Sequence, residues 1–156
     1  MKISLRQIRS VADYQFGKGV GAKLFPKNVE IAYSNRTGRI RYVYLNGKRL
    51  VTLRPIDGLF SLSIAGAKKI AENRHFAKCF VKIQNDVSEF IAKGGDVFAI
   101  HVVEADDEIR SKSDVIVVNE AGKVLAVGRA MLSGEEMQTF KAGVAVKIRR
   151  GYLKES

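Results

Sequence analysis

Apolar positions recur along this chain with two periods, and the switches between them mark the elements. Leu5, Ile8, Val11 and Ala12 fall at helical spacing behind Ser4-Leu5-Arg6-Gln7, which reads as a capping box, and Gly17 reads as the helix stop. Gly17-Lys18-Gly19-Val20-Gly21 then reads as a flexible loop. It lacks the closing Lys-Ser/Thr and the preceding strand of a phosphate loop. From residue 29 the period falls to two. Residues 29–33 form a short strand, Ser34-Asn35-Arg36-Thr37-Gly38 a turn, and residues 39–45 and 48–54 two strands about Asn46-Gly47, the preferred two-residue hairpin turn. Strict pairing from that turn sets Leu45 opposite Lys48, Val43 opposite Leu50, Arg41 opposite Thr52 and Arg39 opposite Arg54. Ile40, Tyr42, Tyr44, Val51 and Leu53 then make the core face, with Arg49 near the tip. Arg39, Arg41, Lys48 and Arg54 make the outer one. A strand at 59–64 and a short helix at 66–72 complete this half.

The second half starts with a strand at 77–83. Asp86 and Glu89 read as a cap for a helix whose apolar stripe is Val87, Phe90 and Ile91, ended by Gly94 and Gly95. Strands follow at 97–103, 115–118, 124–131 and 144–149, with an acidic turn at 104–108. Ser133-Gly134-Glu135-Glu136 is a second capping box. In the last strand Val144, Val146 and Ile148 are set inward, and Ala145, Lys147 and Arg149 outward. Short strands at this spacing predict a small closed barrel. The chain is therefore expected to be α+β, with a domain at 1–74 built on an antiparallel sheet and a barrel domain at 75–156.

Charge changes the picture most. The 156 residues carry a formal charge of +11. Residues 1–74 hold 15 Lys and Arg against Asp13, Glu30, Asp57 and Glu72, whereas residues 75–156 hold 12 against 12, so the whole surplus lies in the first half. A concentrated surplus repels itself unless an anion is near, and the phosphate backbone of a nucleic acid is the usual anion. Like charges directly opposite in a hairpin are destabilising. The expected pair Arg39 and Arg54, with Arg41 diagonal to both and Arg36 and Lys48 nearby, therefore reads as a phosphate-binding patch. No apolar run is long enough for a membrane span, and residues 1–6 carry no apolar signal core. Cys79 is the single cysteine, which excludes an intrachain disulfide and fits a reducing cytoplasm.

Candidate chemistry is sparse. Cys79, His75 and His101 are the only Cys and His residues, without CxxC or HExxH spacing, so neither a metal nor another cofactor is expected. Cys79 reads as a small core residue, His101 as structural, and Asp106-Asp107-Glu108 as a solvated turn. No nucleophile-and-base pair and no nucleotide loop is visible.

Two sets of strings carry a family resemblance. Ser88-Glu89-Phe90-Ile91-Ala92-Lys93-Gly94 followed by Val97-Phe98-Ala99, then Val117-Val118-Asn119-Glu120 with Leu125-Ala126-Val127-Gly128-Arg129-Ala130, then Leu132 to Met137 and Gly143 to Arg149, resemble a PUA domain. They are most similar to the C-terminal domain of archaeosine tRNA-guanine transglycosylases. Ala12-Asp13-Tyr14-Gln15-Phe16-Gly17, Ser34-Asn35-Arg36-Thr37-Gly38-Arg39, Leu53-Arg54-Pro55 and Asp57-Gly58-Leu59-Phe60 resemble the domain before it. The catalytic, zinc-containing barrel of those enzymes does not fit within 156 residues. The resemblance implies a pre-PUA domain followed by a PUA-type barrel with short helices, acting in tRNA modification without catalysis of its own. It implies binding of the tRNA acceptor stem and 3′ CCA end through the glycine turn and the last strand: Lys93, Gly94, Gly95 and Phe98, with Lys147, Arg149 and Arg150. Where the family often has a lysine after Phe-Ala, this chain has Ile100-His101, and no basic contact is carried over there. The partners implied are tRNA and a separate transglycosylase catalytic chain. A stand-alone PUA adaptor in tRNA or rRNA modification or ribosome assembly is the alternative.

Overall fold

The structure, a computed structural model, describes residues 3–154. The chain divides into two compact units, residues 1–77 and 78–156.

The first unit opens with helix α1 (Ile3–Phe16) and helix α2 (Val20–Leu24). Leu5, Ile8, Ala12 and Phe16 fall on one face of α1 and are buried. The expected capping box at Ser4 is not formed. Ser4 lies inside α1, and its hydroxyl is 2.9 Å from the Tyr33 hydroxyl. Gly17, at φ 132°, stops the helix, and its N–H still donates to the Asp13 carbonyl at 3.1 Å. The expected loop at 17–21 turns into α2 halfway along. Helix α2 packs so tightly on α1 that a Cβ on Gly21 would collide with the Arg9 backbone. The Gly21 N–H, freed at the start of the helix, donates to Asp13 Oδ1 at 2.6 Å. Tertiary contact, not local propensity, therefore makes a helix of a glycine-rich stretch.

An antiparallel sheet follows in the order β1 (Glu30–Tyr33), β2 (Ile40–Leu45), β3 (Lys48–Leu53), β4 (Phe60–Leu62). Gln15 of α1 serves edge strand β4: its amide donates to the Phe60 carbonyl at 2.7 Å and accepts the Phe60 N–H at 2.8 Å. Helix α3 (Ile64–Ala71) is capped by Ser63, whose hydroxyl accepts the Gly66 N–H at 3.0 Å.

The β2–β3 hairpin turns at Asn46-Gly47 as expected, both residues at positive φ. Its register does not follow. Leu45 pairs with Lys48 and Tyr44 with Arg49, but Val43 pairs with Val51 and Tyr42 with Thr52. Leu50 is the extra residue of a bulge. Strict pairing would have sent Val43 and Leu50 outward among the arginines. The bulge buries Val43, Leu50 and Val51 together, each burial worth about 1.5–3 kcal/mol, which outweighs one disturbed ladder step. The shift leaves Arg39 one residue out of step with Arg54, so the expected arginine pair does not form.

The second unit holds β5 (Phe80–Ile83), helix α4 (Ser88–Ala92), β6 (Val97–Phe98), β7 (Val102–Ala105), β8 (Asp114–Val118), β9 (Val124–Ala130), helix α5 (Gly134–Thr139) and β10 (Val144–Gly151). The sheet order is β6-β10-β9-β8-β5-β7, parallel only between β5 and β8. Strands β6 and β7 occupy opposite edges although only the 3-10 turn Ala99–His101 lies between them. The sheet therefore curls into a nearly closed barrel around Val81, Ile83, Ile91, Val97, Val117 and Val146. Together the two units make an α+β protein, antiparallel sheet first and barrel second.

Three local expectations for this unit need correction. The strand expected at 97–103 is broken, because the chain must cross from one sheet edge to the other. Asp86 does not cap α4, whose N-cap is Val87 with no side-chain cap bond. Asp106 is not simply solvated: its Oδ2 accepts the Phe80 N–H at 2.8 Å. The capping box of α5 forms in full, Ser133 and Glu136 each accepting the other's backbone N–H at 3.1 and 2.9 Å.

Replacing Gly21 by Ala should separate α2 from α1 and lower unfolding stability by about 1–3 kcal/mol. Urea denaturation of the two proteins checks this, with unchanged stability contradicting the packing described.

Candidate nucleic-acid interface

In the second unit the expected residues gather around β10. Helix α4 ends at Ala92 and the chain reverses through Gly94, at φ 107°. The Gly94 N–H donates to Ile91 and the Gly95 N–H to Phe90, each at 2.9 Å. A side chain on Gly95 would drive into the Phe90 ring, which is itself exposed. Asp96 Oδ1 accepts the Ile148 N–H at 2.9 Å, and the Leu153 N–H donates to Ala92 at 2.9 Å. A Cβ on Gly151 would strike the Ala92 carbonyl. The turn holding Lys93, Gly94 and Gly95 is thus fixed against residues 148–153. Lys93 pairs with Glu89 at 3.0 Å, but both side chains are mostly exposed, and such a pair holds weakly. Phe98 lies further along β10, opposite Val144, with a partly exposed ring edge-on to His101.

The outward side of β10 differs from expectation at two places. Ala145 is fully buried beside Val146, because a register shift falls between Val144 and Val146 where β6 pairs with β10. Arg149 is not simply a surface cation. It reaches over β9 to Asp114 on β8 and grips it two-pronged, Nη1–Oδ1 at 2.6 Å and Nη2–Oδ2 at 3.1 Å. The Asp114 side chain is wholly buried, while Arg149 keeps solvent contact. Lys147 remains exposed, and directly opposite it on β9 stands Arg129, the one exposed residue of that strand. Asp114 pairs with Arg129 from the other side. Arg129 and Lys147 are thus like charges directly opposite each other, an arrangement that a bound anion would relieve. Arg129 went unnoticed in the sequence reading. Its signal was a lone cation within the apolar run 124–131.

In the first unit the five basic residues of the expected patch have different surroundings. Arg54 donates to Asp57 at 2.9 and 3.3 Å, an internal ion pair. The Leu59 N–H bond, more than Arg54, holds the Asp57 carboxyl below the ordinary carboxylate range. Arg36 is exposed in the β1–β2 turn, Lys48 at the hairpin tip and Arg39 just before β2. Arg41 joins Arg49 around an aromatic pair instead. Their guanidinium carbons lie 5.2 and 5.8 Å from the Tyr42 ring centre, and Tyr42 lies 6.0 Å from Tyr44. A hydrogen bond from Arg41, then its charge, draws the Tyr42 hydroxyl below the usual phenol range. Arg49 was missed as a surface cation because the face it shares with Tyr44 was expected to be the core, whereas the buried residue of β2 is Val43 on the other face.

Among the described residues no three His, Cys, Asp or Glu side chains gather as a metal site, and no helix is long and apolar enough to cross a membrane. Cys79 is buried, and burial pushes its thiol well above the ordinary range, so it stays protonated.

The second unit is a nearly closed barrel with its glycine turn clamped against the final strand, and residues 80–152 match the PUA domain family. Residues 6–76 match the patch-forming domain C2 of tRNA-guanine transglycosylase. The chain is therefore a PUA-domain protein of the kind that forms the C-terminal portion of tRNA-guanine transglycosylases. It is 40% identical over 153 residues to the tRNA-guanine(15) transglycosylase of Methanobrevibacter smithii, matching 98% of this chain and 23% of that one. It is 46% identical over 144 residues to the enzyme of that name from Pyrococcus furiosus, matching 92% of this chain and 24% of that one. The chain thus spans about a quarter of the length of these relatives. In fold it is similar to a conserved PUA domain protein from Thermoplasma acidophilum, with a TM-score of 0.67 and 22% identity over 97% of this chain and 90% of that one.

Replacing Arg149 by Ala should cost about 1–3 kcal/mol, because it removes two charge-assisted bonds to a buried carboxylate. Replacing Lys147 by Ala should change stability by less than about 0.5 kcal/mol. Thermal unfolding of both variants distinguishes the structural cation from the surface one.

Proposed function

We propose that this chain is the RNA-gripping, non-catalytic part of a tRNA-guanine transglycosylase, that it holds the tRNA acceptor stem and 3′ CCA end, and that a separate chain supplies the catalytic domain. The observation that carries the reading is the joining, along β10, of the clamped glycine turn and the exposed cations Lys147 and Arg129. A turn of two glycines lets an RNA backbone approach the protein main chain closely. The cations meet its phosphates, and the exposed ring of Phe98 offers a face to an unstacked terminal base. The relatives named tRNA-guanine(15) transglycosylase support tRNA as the RNA, and the basic surplus of residues 1–74 supports further phosphate contacts.

Each phosphate contact steepens the dependence of log affinity on log salt by about 0.7–0.9. Lys147→Ala with Arg129→Ala should therefore make tRNA binding weaker and its salt slope shallower by about 1.5. Wild-type protein should bind tRNA lacking CCA several-fold more weakly than intact tRNA. Equal binding of both tRNAs across a salt series would remove end recognition from the proposal.

Guanine exchange into tRNA should be absent with this chain alone and should rise when it is added to a catalytic domain that lacks its own C2 and PUA domains. Exchange by the chain alone, at a rate comparable to a full-length enzyme, would overturn the non-catalytic assignment.

A further inference from the structure

Within the first unit, the N-terminal half of α1 and one end of the sheet leave a groove between them. Its volume is about 440 Å³. Ser4, Gln7, Ile8 and Val11 line one wall, at the three- and four-residue spacing that puts them on one helix face. The opposite wall is the sheet end where β1 stops, β2 starts, β3 stops and β4 starts. The deep part is apolar: Ile8 and Phe60 are buried, and Leu53 is half-buried. The rim is polar and carries Gln7, Arg39 and the Ser4–Tyr33 hydroxyl pair.

Three features distinguish this groove from an ordinary packing gap. Among the described residues, the side chains of Gln7 and Arg39 have no hydrogen-bond or ion-pair partner. Gly38 and Gly58, in the turns beside the groove, have φ of 71° and 72°, and nothing lies within 4 Å of where their Cβ would be. The unit around it also carries the chain's basic surplus. An apolar slot alone accepts any hydrophobic group. A slot with an unneutralised guanidinium and an amide open as both donor and acceptor selects more narrowly. An apolar partner side chain would strip water from Gln7 and Arg39 without replacing it, which is costly. A nucleotide suits the slot, the amide and the guanidinium together: its base has flat apolar faces, its edge mixes donors and acceptors, and its phosphate is anionic.

We propose that this groove receives a single unstacked nucleotide of the bound RNA, the base over Leu53 and Phe60 with its edge at Gln7, and the phosphate at Arg39. The proposal rests on the RNA-binding reading and adds a pocket for one extruded residue, separate from the glycine turn and β10. A protein built this way holds its RNA in a form with at least one base out of the helical stack.

The test uses the full chain and two probes. In the first, backbone amide NMR signals are followed while 5′-GMP, 5′-UMP or inorganic phosphate is added up to about 20 mM. At least one nucleotide should move Gln7, Tyr33, Gly38, Arg39 and Gly58 saturably. Phosphate should move only the neighbourhood of Arg39. In Gln7→Leu with Arg39→Thr, both at exposed positions, the melting temperature should hold while nucleotide binding weakens at least tenfold. In the second, tRNAs carry 2-aminopurine at one loop position at a time. One position should change fluorescence with wild-type protein and not with the double variant. Nucleotide shifts identical to those of phosphate would reduce the groove to an anion contact and overturn the proposal. Absence of groove shifts while tRNA still binds would overturn it and leave the RNA-binding reading intact. Failure of tRNA to bind at all would remove both.

Discussion

Strands β6 and β7 stand at opposite edges of a six-stranded sheet, yet only Ala99, Ile100 and His101 separate them. Laid flat, the sheet would hold those edges roughly 24 Å apart at the usual strand spacing. The four Cα steps from Phe98 to Val102 reach at most about 14 Å extended, and nearer 8 Å in the 3-10 turn they form. The sheet has to curl. Closure then draws the segment before β6 onto β10, where the Asp96 carboxylate accepts the Ile148 N–H. The glycines follow from the same constraint. A side chain at Gly95 would displace Phe90, and one at Gly151 would push the turn off the strand. A chain link too short for a flat sheet thus positions the surface proposed to meet RNA.

Charge is placed on that frame with a division of labour. Arg149 secures buried Asp114 and ties β10 to β8 across β9. Lys147 and Arg129 stand directly opposite each other on β10 and β9. In the first unit Arg54 is spent on Asp57, while Arg41 and Arg49 flank Tyr42. Counting basic residues shows which half carries the surplus. It does not distinguish the cations that hold the fold from those that face solvent.

Much of the fold was legible in the sequence because periodicity and turn chemistry are local. The Asn46-Gly47 hairpin, the Ser133 capping box, the class α+β and the barrel all follow from spacing. What was not legible depended on distant parts of the chain. The bulge at Leu50 exists because burying three apolar residues together outweighs regular pairing, and no hairpin rule contains that information. Helix α2 exists because Gly21 meets Arg9. The partner of Arg149 was hidden because Asp114 lies two strands away in the sheet and 35 residues away in the chain. Arg129 could have been found, as the lone cation in an apolar strand, but only the strand order shows that it faces Lys147.

The central claim is that RNA is held at the glycine turn and the β9–β10 face of the PUA domain. Photo-crosslinking of the intact chain to tRNA, with both crosslinked peptide and crosslinked nucleotide identified by mass spectrometry, tests it most directly. The account predicts crosslinks from the peptides holding Phe98, Arg129 or Lys147 to the acceptor stem and the 3′-terminal nucleotides. Crosslinks confined to residues 1–77, or falling on the tRNA only outside the acceptor stem, would contradict it.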